Sequence, residues 1–165
     1  MPLKSNAAPD EKNSPFFRAN KELCESWEAL IKSKGGNING VYNAWSLDVK
    51  AKVKTSKTWL ISVKKATYSS GFLLFSSKRQ NLQEILKFQS NFKETNCPDF
   101  RISNSRWSSK QIKHPFYELV KRLLENDIHG RDTMSAELKN GLLTLTFHHR
   151  NNDFELVDRV INLQF

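Results

Sequence analysis

The stretch Ser46-Leu47-Asp48-Val49-Lys50-Ala51-Lys52-Val53-Lys54 alternates without a break. Leu47, Val49, Ala51 and Val53 fall on one parity, and Asp48, Lys50, Lys52 and Lys54 on the other. Successive side chains of an extended chain point to opposite faces, so this segment is a strand with an apolar face for a core and a lysine-bearing face for water. Carried upstream to Gly40, the same parity adds Val41 and Trp45 to the inward set and Tyr42 and Ser46 to the outward one. One long strand from about 41 to 54 is therefore expected, with Trp45 in the core.

Working outward, Thr55-Ser56-Lys57 can turn the chain, and Trp59, Ile61 and Val63 restart the alternation with Trp59 inward. A second turn at Ser69-Ser70-Gly71 leads into Phe72-Leu73-Leu74-Phe75, which completes a three-strand antiparallel meander. On the other side, Ser14 before Pro15 supplies a capping hydroxyl and a proline at the first helical position. Phe16, Leu23, Trp27, Leu30 and Ile31 follow at helical spacing, and Gly35-Gly36 ends the run, which predicts a helix over 15–34. Residues 1–13 carry two prolines and no periodicity and read as a disordered N-terminal tail.

Further along, residues 81–93 fit a helix through Leu82, Ile85, Leu86 and Phe92, yet Ile85-Leu86-Lys87-Phe88 fits a strand equally. Phe100-Arg101-Ile102 is a short candidate strand in a polar stretch. Phe116, Leu119, Val120, Leu123 and Leu124 mark a second helix, stopped near Gly130. Asn140-Gly141 between two alternating runs, 136–139 and 142–148, is a strong hairpin signal. Asn152-Asp153 caps a last helix bearing Phe154, Val157, Val160 and Ile161. Grouped helices and strands of this kind predict an α+β domain over 14–165. Its antiparallel sheet, a three-strand meander plus a C-terminal hairpin, is covered on one face by about three helices.

The chain of 165 residues, 38% hydrophobic and 11% aromatic, is long and apolar enough to bury one core. It contains no apolar run of bilayer length and no N-terminal apolar core of signal-peptide type, so no membrane partner and a cytoplasmic address are expected. Cys24 and Cys97 match no metal or redox spacing and are expected as reduced thiols.

The net charge of +9 is unevenly spread. Residues 48–113 carry fourteen Lys and Arg against four acids, residues 1–47 six against five, and residues 114–165 six against eight. The middle segment thus owns the whole excess and projects a one-sided field toward an anionic partner.

Other chemistry finds little support. His148 and His149 are adjacent on a predicted strand and so point to opposite faces; His114 and His129 stand alone. No nucleophile elbow and no phosphate-cradling glycine loop occur, and no catalytic, metal or cofactor residue is assigned. A Mg-dependent nuclease is the one enzymatic alternative. Asp48-Val49-Lys50, and Asp99 upstream of Glu137-Leu138-Lys139, are similar to the acid and acid-x-Lys elements of restriction-endonuclease-like enzymes. A solvated strand face also alternates charges in this way.

The expected function is a non-enzymatic binding module that uses a basic sheet face to engage an anionic partner, either nucleic acid or an acidic protein surface. Its expected binding residues are Lys50, Lys52, Lys54, Arg101, Arg106, Trp107 and Lys110, with Lys64 or Lys65, Lys78-Arg79 and Lys87 extending the charge. An immunity- or adaptor-type protein-interaction module is the alternative. The competing plain explanation is that lysines on a wet face keep the sheet soluble and protect an edge from pairing.

Overall fold

The computed structural model describes residues 3–70, 79–103, 112–126 and 134–165. In chain order the strands are β1 (Leu3–Ser5), β2 (Asn37–Tyr42), β3 (Ser46–Lys54), β4 (Thr58–Ser70), β5 (Arg79–Asn91), β6 (Phe100–Ser103), β7 (Met134–Lys139) and β8 (Leu142–His148). The helices are α1 (Pro15–Ser33), α2 (Pro115–Asn126) and α3 (Phe154–Ile161). The strands form one sheet in the order β1-β2-β3-β4-β5-β8-β7-β6. Among the described strands only the β1–β2 pair is parallel; the other neighbouring pairs are antiparallel.

The α+β class with three helices and a mostly antiparallel sheet is as expected, but the strand plan is larger. The meander has four strands, β2 to β5, where three were expected, and β5 then pairs with β8 of the C-terminal hairpin. The segment read as either helix or strand is the long strand β5. Leu86 and Phe88 are fully buried while Lys87 is exposed, an alternation that the outward-facing Ile85 disguises in the sequence. The expected strand at 72–75 lies outside the described residues. Within the stretch expected as a tail, Leu3 is buried and β1 pairs with Gly40 to Tyr42.

The expected single strand from 41 to 54 is two strands joined by a tight turn. Asn43 Oδ1 accepts hydrogen bonds from the backbone N–H groups of Trp45 and Ser46, both at 2.8 Å, and reverses the chain. The parity resets across that turn, because Tyr42 pairs with Leu47 and Val41 with Asp48. Trp45 is therefore 47% exposed and lies beside Phe16, which corrects its expected place in the core. Tyr42 moves the other way, turning inward to stack on Phe17. Trp59 is fully buried as expected.

The three helices among the described residues lie on one face of the sheet. Ser14 Oγ caps α1 by accepting from the N–H of Phe16. At the other end Gly35, with φ +70°, permits the paired bonds Gly36 N–H to Ile31 O and Gly35 N–H to Lys32 O, a Schellman closure. Phe17, Cys24, Trp27 and Ile31 form the buried stripe of α1; Phe116, Tyr117, Val120 and Leu124 that of α2; Leu156, Val157, Val160 and Ile161 that of α3. They meet the inward rows of the sheet, such as Val49, Val63, Leu86, Phe147 and Ala136, all fully buried.

Asn151 ties the layers together. Its carbonyl accepts from Trp27 Nε1 at 2.7 Å, and its Nδ2 donates to the Lys64 carbonyl at 3.0 Å. Asn140 and Gly141 both take positive φ, 51° and 80°, as a type I′ hairpin turn requires.

Candidate functional site

The opposite face of the sheet is covered by no helix among the described residues. Its side chains follow from the strand registers, which align them in rows across the sheet. The first row runs Asn39, Lys50, Ser62, Lys87, Thr146, Ser135. The next runs Asn37, Lys52, Leu60, Gln89, Thr144, Glu137, Arg101. On the other side of the first lies Val41, Asp48, Lys64, Ile85, His148.

Lys50, Lys52, Lys54, Lys64 and Lys87 thus occupy one region over three adjacent strands, and all five are exposed. None of the five forms an ion pair with a described residue. Asp48, cross-strand partner of Lys64, is the carboxylate among them. Long ammonium stems in this arrangement repel one another and leave a concentrated positive potential over the surface. Their strand matters as well. β3 is flanked on both sides by paired strands, so Lys50, Lys52 and Lys54 do not protect an edge.

The other expected binding residues are placed differently. Arg101 shares the open face and the row of Lys52, but β6 stands five strands from β3, about 24 Å at the usual strand spacing. Arg101 also has Glu137 as its cross-strand partner. Arg106, Trp107 and Lys110 lie outside the described residues. Lys65 faces the helices instead, where its Nζ donates to Asn20 Oδ1 at 2.9 Å. Lys87 and Lys64 were named in the sequence only as extensions; the registers of β4 and β5 make them members of the central group.

Among the described residues, two shallow hollows indent this face. One, of about 310 Å³, is lined by Val41, Ser46, Asp48, Lys64, Ala66 and Ile85 among others. The second, of about 260 Å³, is lined by Lys50, Leu60, Ser62, Lys87 and Gln89 over the backbone of Ala51 and Ile61. Leu60, in its lining, is 50% exposed. Neither hollow could be read from the sequence, because each needs the lateral order of three strands.

The acids of the nuclease alternative do not converge. Asp48 on β3 and Glu137 on β7 are four strands apart, roughly 19 Å laterally. Asp99 accepts from the Asn140 backbone N–H at 3.0 Å and so braces the hairpin turn. Among the described residues no group of three or more His, Cys, Asp or Glu side chains could hold a metal ion, and no helix is long and apolar enough to cross a membrane.

Of the titratable groups with displaced pKa values, two are cysteines away from the lysine group. Burial, reinforced by Glu25 and Glu28, pushes the Cys24 thiol up to about 12. Cys97 is also raised, chiefly by burial. His148, half-buried at the open face, is lowered by burial and then by its neighbour His149. Both cysteines are free thiols. No known protein family, curated protein or solved structure matches this chain.

Proposed function

We propose that the chain is a binding module whose open sheet face engages the phosphate backbone of a nucleic acid. The observation that carries this reading is the group Lys50, Lys52, Lys54, Lys64 and Lys87, five exposed ammonium groups on three adjacent strands with no ion pair to a described residue. Like charges gathered on an interior strand and its neighbours cost the fold self-repulsion. A polyanion relieves that repulsion and gains entropy by releasing its condensed counterions.

The test is fluorescence anisotropy of a labelled oligonucleotide at low salt, with poly-L-glutamate as competitor. Association that weakens steeply with salt, and that polyglutamate displaces poorly, supports the reading. Preference for polyglutamate would instead assign the face to an acidic protein surface, as an adaptor- or immunity-type module would have it. No association with either polyanion would remove the reading.

A further inference from the structure

Resting on that reading, we infer that the face is built for single-stranded nucleic acid, with bases in the two hollows and a phosphate on the lysine row that edges the smaller hollow on the side of the larger one. The row Lys50, Ser62, Lys87 places a hydroxyl between two ammonium groups that stand two strand spacings apart, about 10 Å. The row thus offers one anionic group three donors from three adjacent strands.

The row is bordered on both sides by apolar surface. Toward one end of the strands Val41, Ala66 and Ile85 line the larger hollow. Toward the other, half-exposed Leu60 lines the smaller one, with Gln89 beside it. From Ile85 to Gln89 is four residues of β5, about 13 Å, a length that one or two nucleotides span.

Cations alone would serve a duplex, which shows a protein mainly phosphates unless a groove is entered. Exposed aliphatic side chains set between the cations gain nothing from a phosphate. They do gain from the faces of unpaired bases, which only a single strand offers freely. Ser62, Gln89 and Ser46 supply hydrogen-bonding groups within the same hollows, able to meet base edges without selecting one base. The larger hollow has Lys64 on its wall, so a second phosphate can follow the first base along the strand.

The experiment compares three probes at one salt concentration: a short fluorescein-labelled oligothymidylate, a duplex of the same length, and inorganic polyphosphate as competitor. The single strand is expected to bind at least roughly tenfold tighter than the duplex and to resist polyphosphate. Leu60→Ser with Ile85→Thr should weaken single-strand binding roughly fivefold and leave the salt slope unchanged, because apolar contacts release no counterions. Lys50→Gln with Lys87→Gln should weaken binding to all three probes and reduce the slope by about 1.4, two phosphate contacts' worth.

Cooperative thermal melts with midpoints no lower than the wild type's would exclude misfolding as the cause. The Lys50→Gln, Lys87→Gln pair sits wholly on the exposed face and so supplies a readout even if Ile85→Thr disturbs the sheet. Equal affinity for single strand, duplex and polyphosphate would overturn the assignment of bases to the hollows and leave the lysine face as a general polyanion site. Absence of binding to all three at low salt would overturn both.

Discussion

Lys50 and Lys87 stand on one row of the open sheet face with only Ser62 between them, although thirty-seven positions separate them in the chain. Antiparallel registry across β3, β4 and β5 makes them neighbours, and the same registry brings Lys64 diagonally beside both. Like charges so placed are unfavourable to the folded state. A surface that sets these lysines around a single carboxylate, Asp48, carries more like charge than stability alone would favour.

The first prediction is that the lysine face destabilises the isolated protein. Replacing Lys50, Lys52, Lys64 and Lys87 together by Gln should leave the fold intact and raise stability at low ionic strength. The change per site should be no more than about 0.5 kcal/mol, as is usual for surface substitutions. Added salt should stabilise the wild type by screening and should affect the variant less. Urea denaturation at two salt concentrations reads this directly. A variant less stable than the wild type at low salt would show that these lysines have stabilising partners.

Trp27 should be among the costliest single positions. Its indole N–H donates to the Asn151 carbonyl at 2.7 Å from a fully buried site, and its ring packs edge-on against Phe154. Trp27→Phe keeps an aromatic ring but leaves that carbonyl without its donor, at a cost of about 1–3 kcal/mol, with a further loss from the smaller ring. Chemical denaturation should show a lower midpoint with an unchanged slope.

Gly40 should not accept a side chain. Its φ is +155°, and a Cβ there would stand 2.3 Å from the Asp48 carbonyl oxygen and 2.8 Å from Val49 Cα, both backbone atoms of β3. Gly40→Ala should cost about 2 kcal/mol or more and loosen the pairing of β2 with β3. Faster amide exchange at Asp48 and Lys50 would report that loosening.

The cysteines should differ in reactivity. With its pKa pushed up to about 12 and its side chain buried, Cys24 carries almost no thiolate at neutral pH. Iodoacetamide at about pH 8 should label Cys97 slowly and Cys24 only in unfolded molecules, a pattern that mass spectrometry of the digested protein resolves.

His148 sets an acid-side dependence. Its pKa is lowered in the folded state by burial first and by His149 second, so the unfolded chain takes up the proton before the folded one does. The neutral imidazole's contribution to stability is fully present above the ordinary histidine value of 6.5 and is lost as pH falls below it toward the lowered folded value. His148→Gln should flatten the decline in melting temperature between about pH 6.5 and 5.

Much of this architecture can be read in the sequence wherever a local rule acts alone. Ser14 with Pro15 starts α1, Gly35 closes it, Asn140-Gly141 makes the β7–β8 turn, and the parity of 47–54 sorts core from wet face. The readings fail where one side chain or one distant pairing overrides the pattern. Asn43 turns the chain with its own Oδ1 and so resets the parity that would have buried Trp45. Ile85 is aliphatic yet faces outward over a hollow, which blurs the period of β5. The candidate site divides the same way. Lys50, Lys52 and Lys54 are legible from one strand's alternation. The convergence of Lys64 and Lys87 with them, and the distance of Arg101, depend on lateral strand order, which no local rule contains.

The most direct measurement of the central claim is the salt dependence of oligonucleotide binding by wild type and by the Lys50→Gln, Lys87→Gln variant. Followed by anisotropy between about 50 and 200 mM salt, the wild type should give a log–log slope of about −2 to −4, and the variant a weaker affinity with a slope shallower by about 1.4. Binding that is absent at the lowest salt, or that has the same affinity and slope in both proteins, would contradict the assignment of the open sheet face as the site.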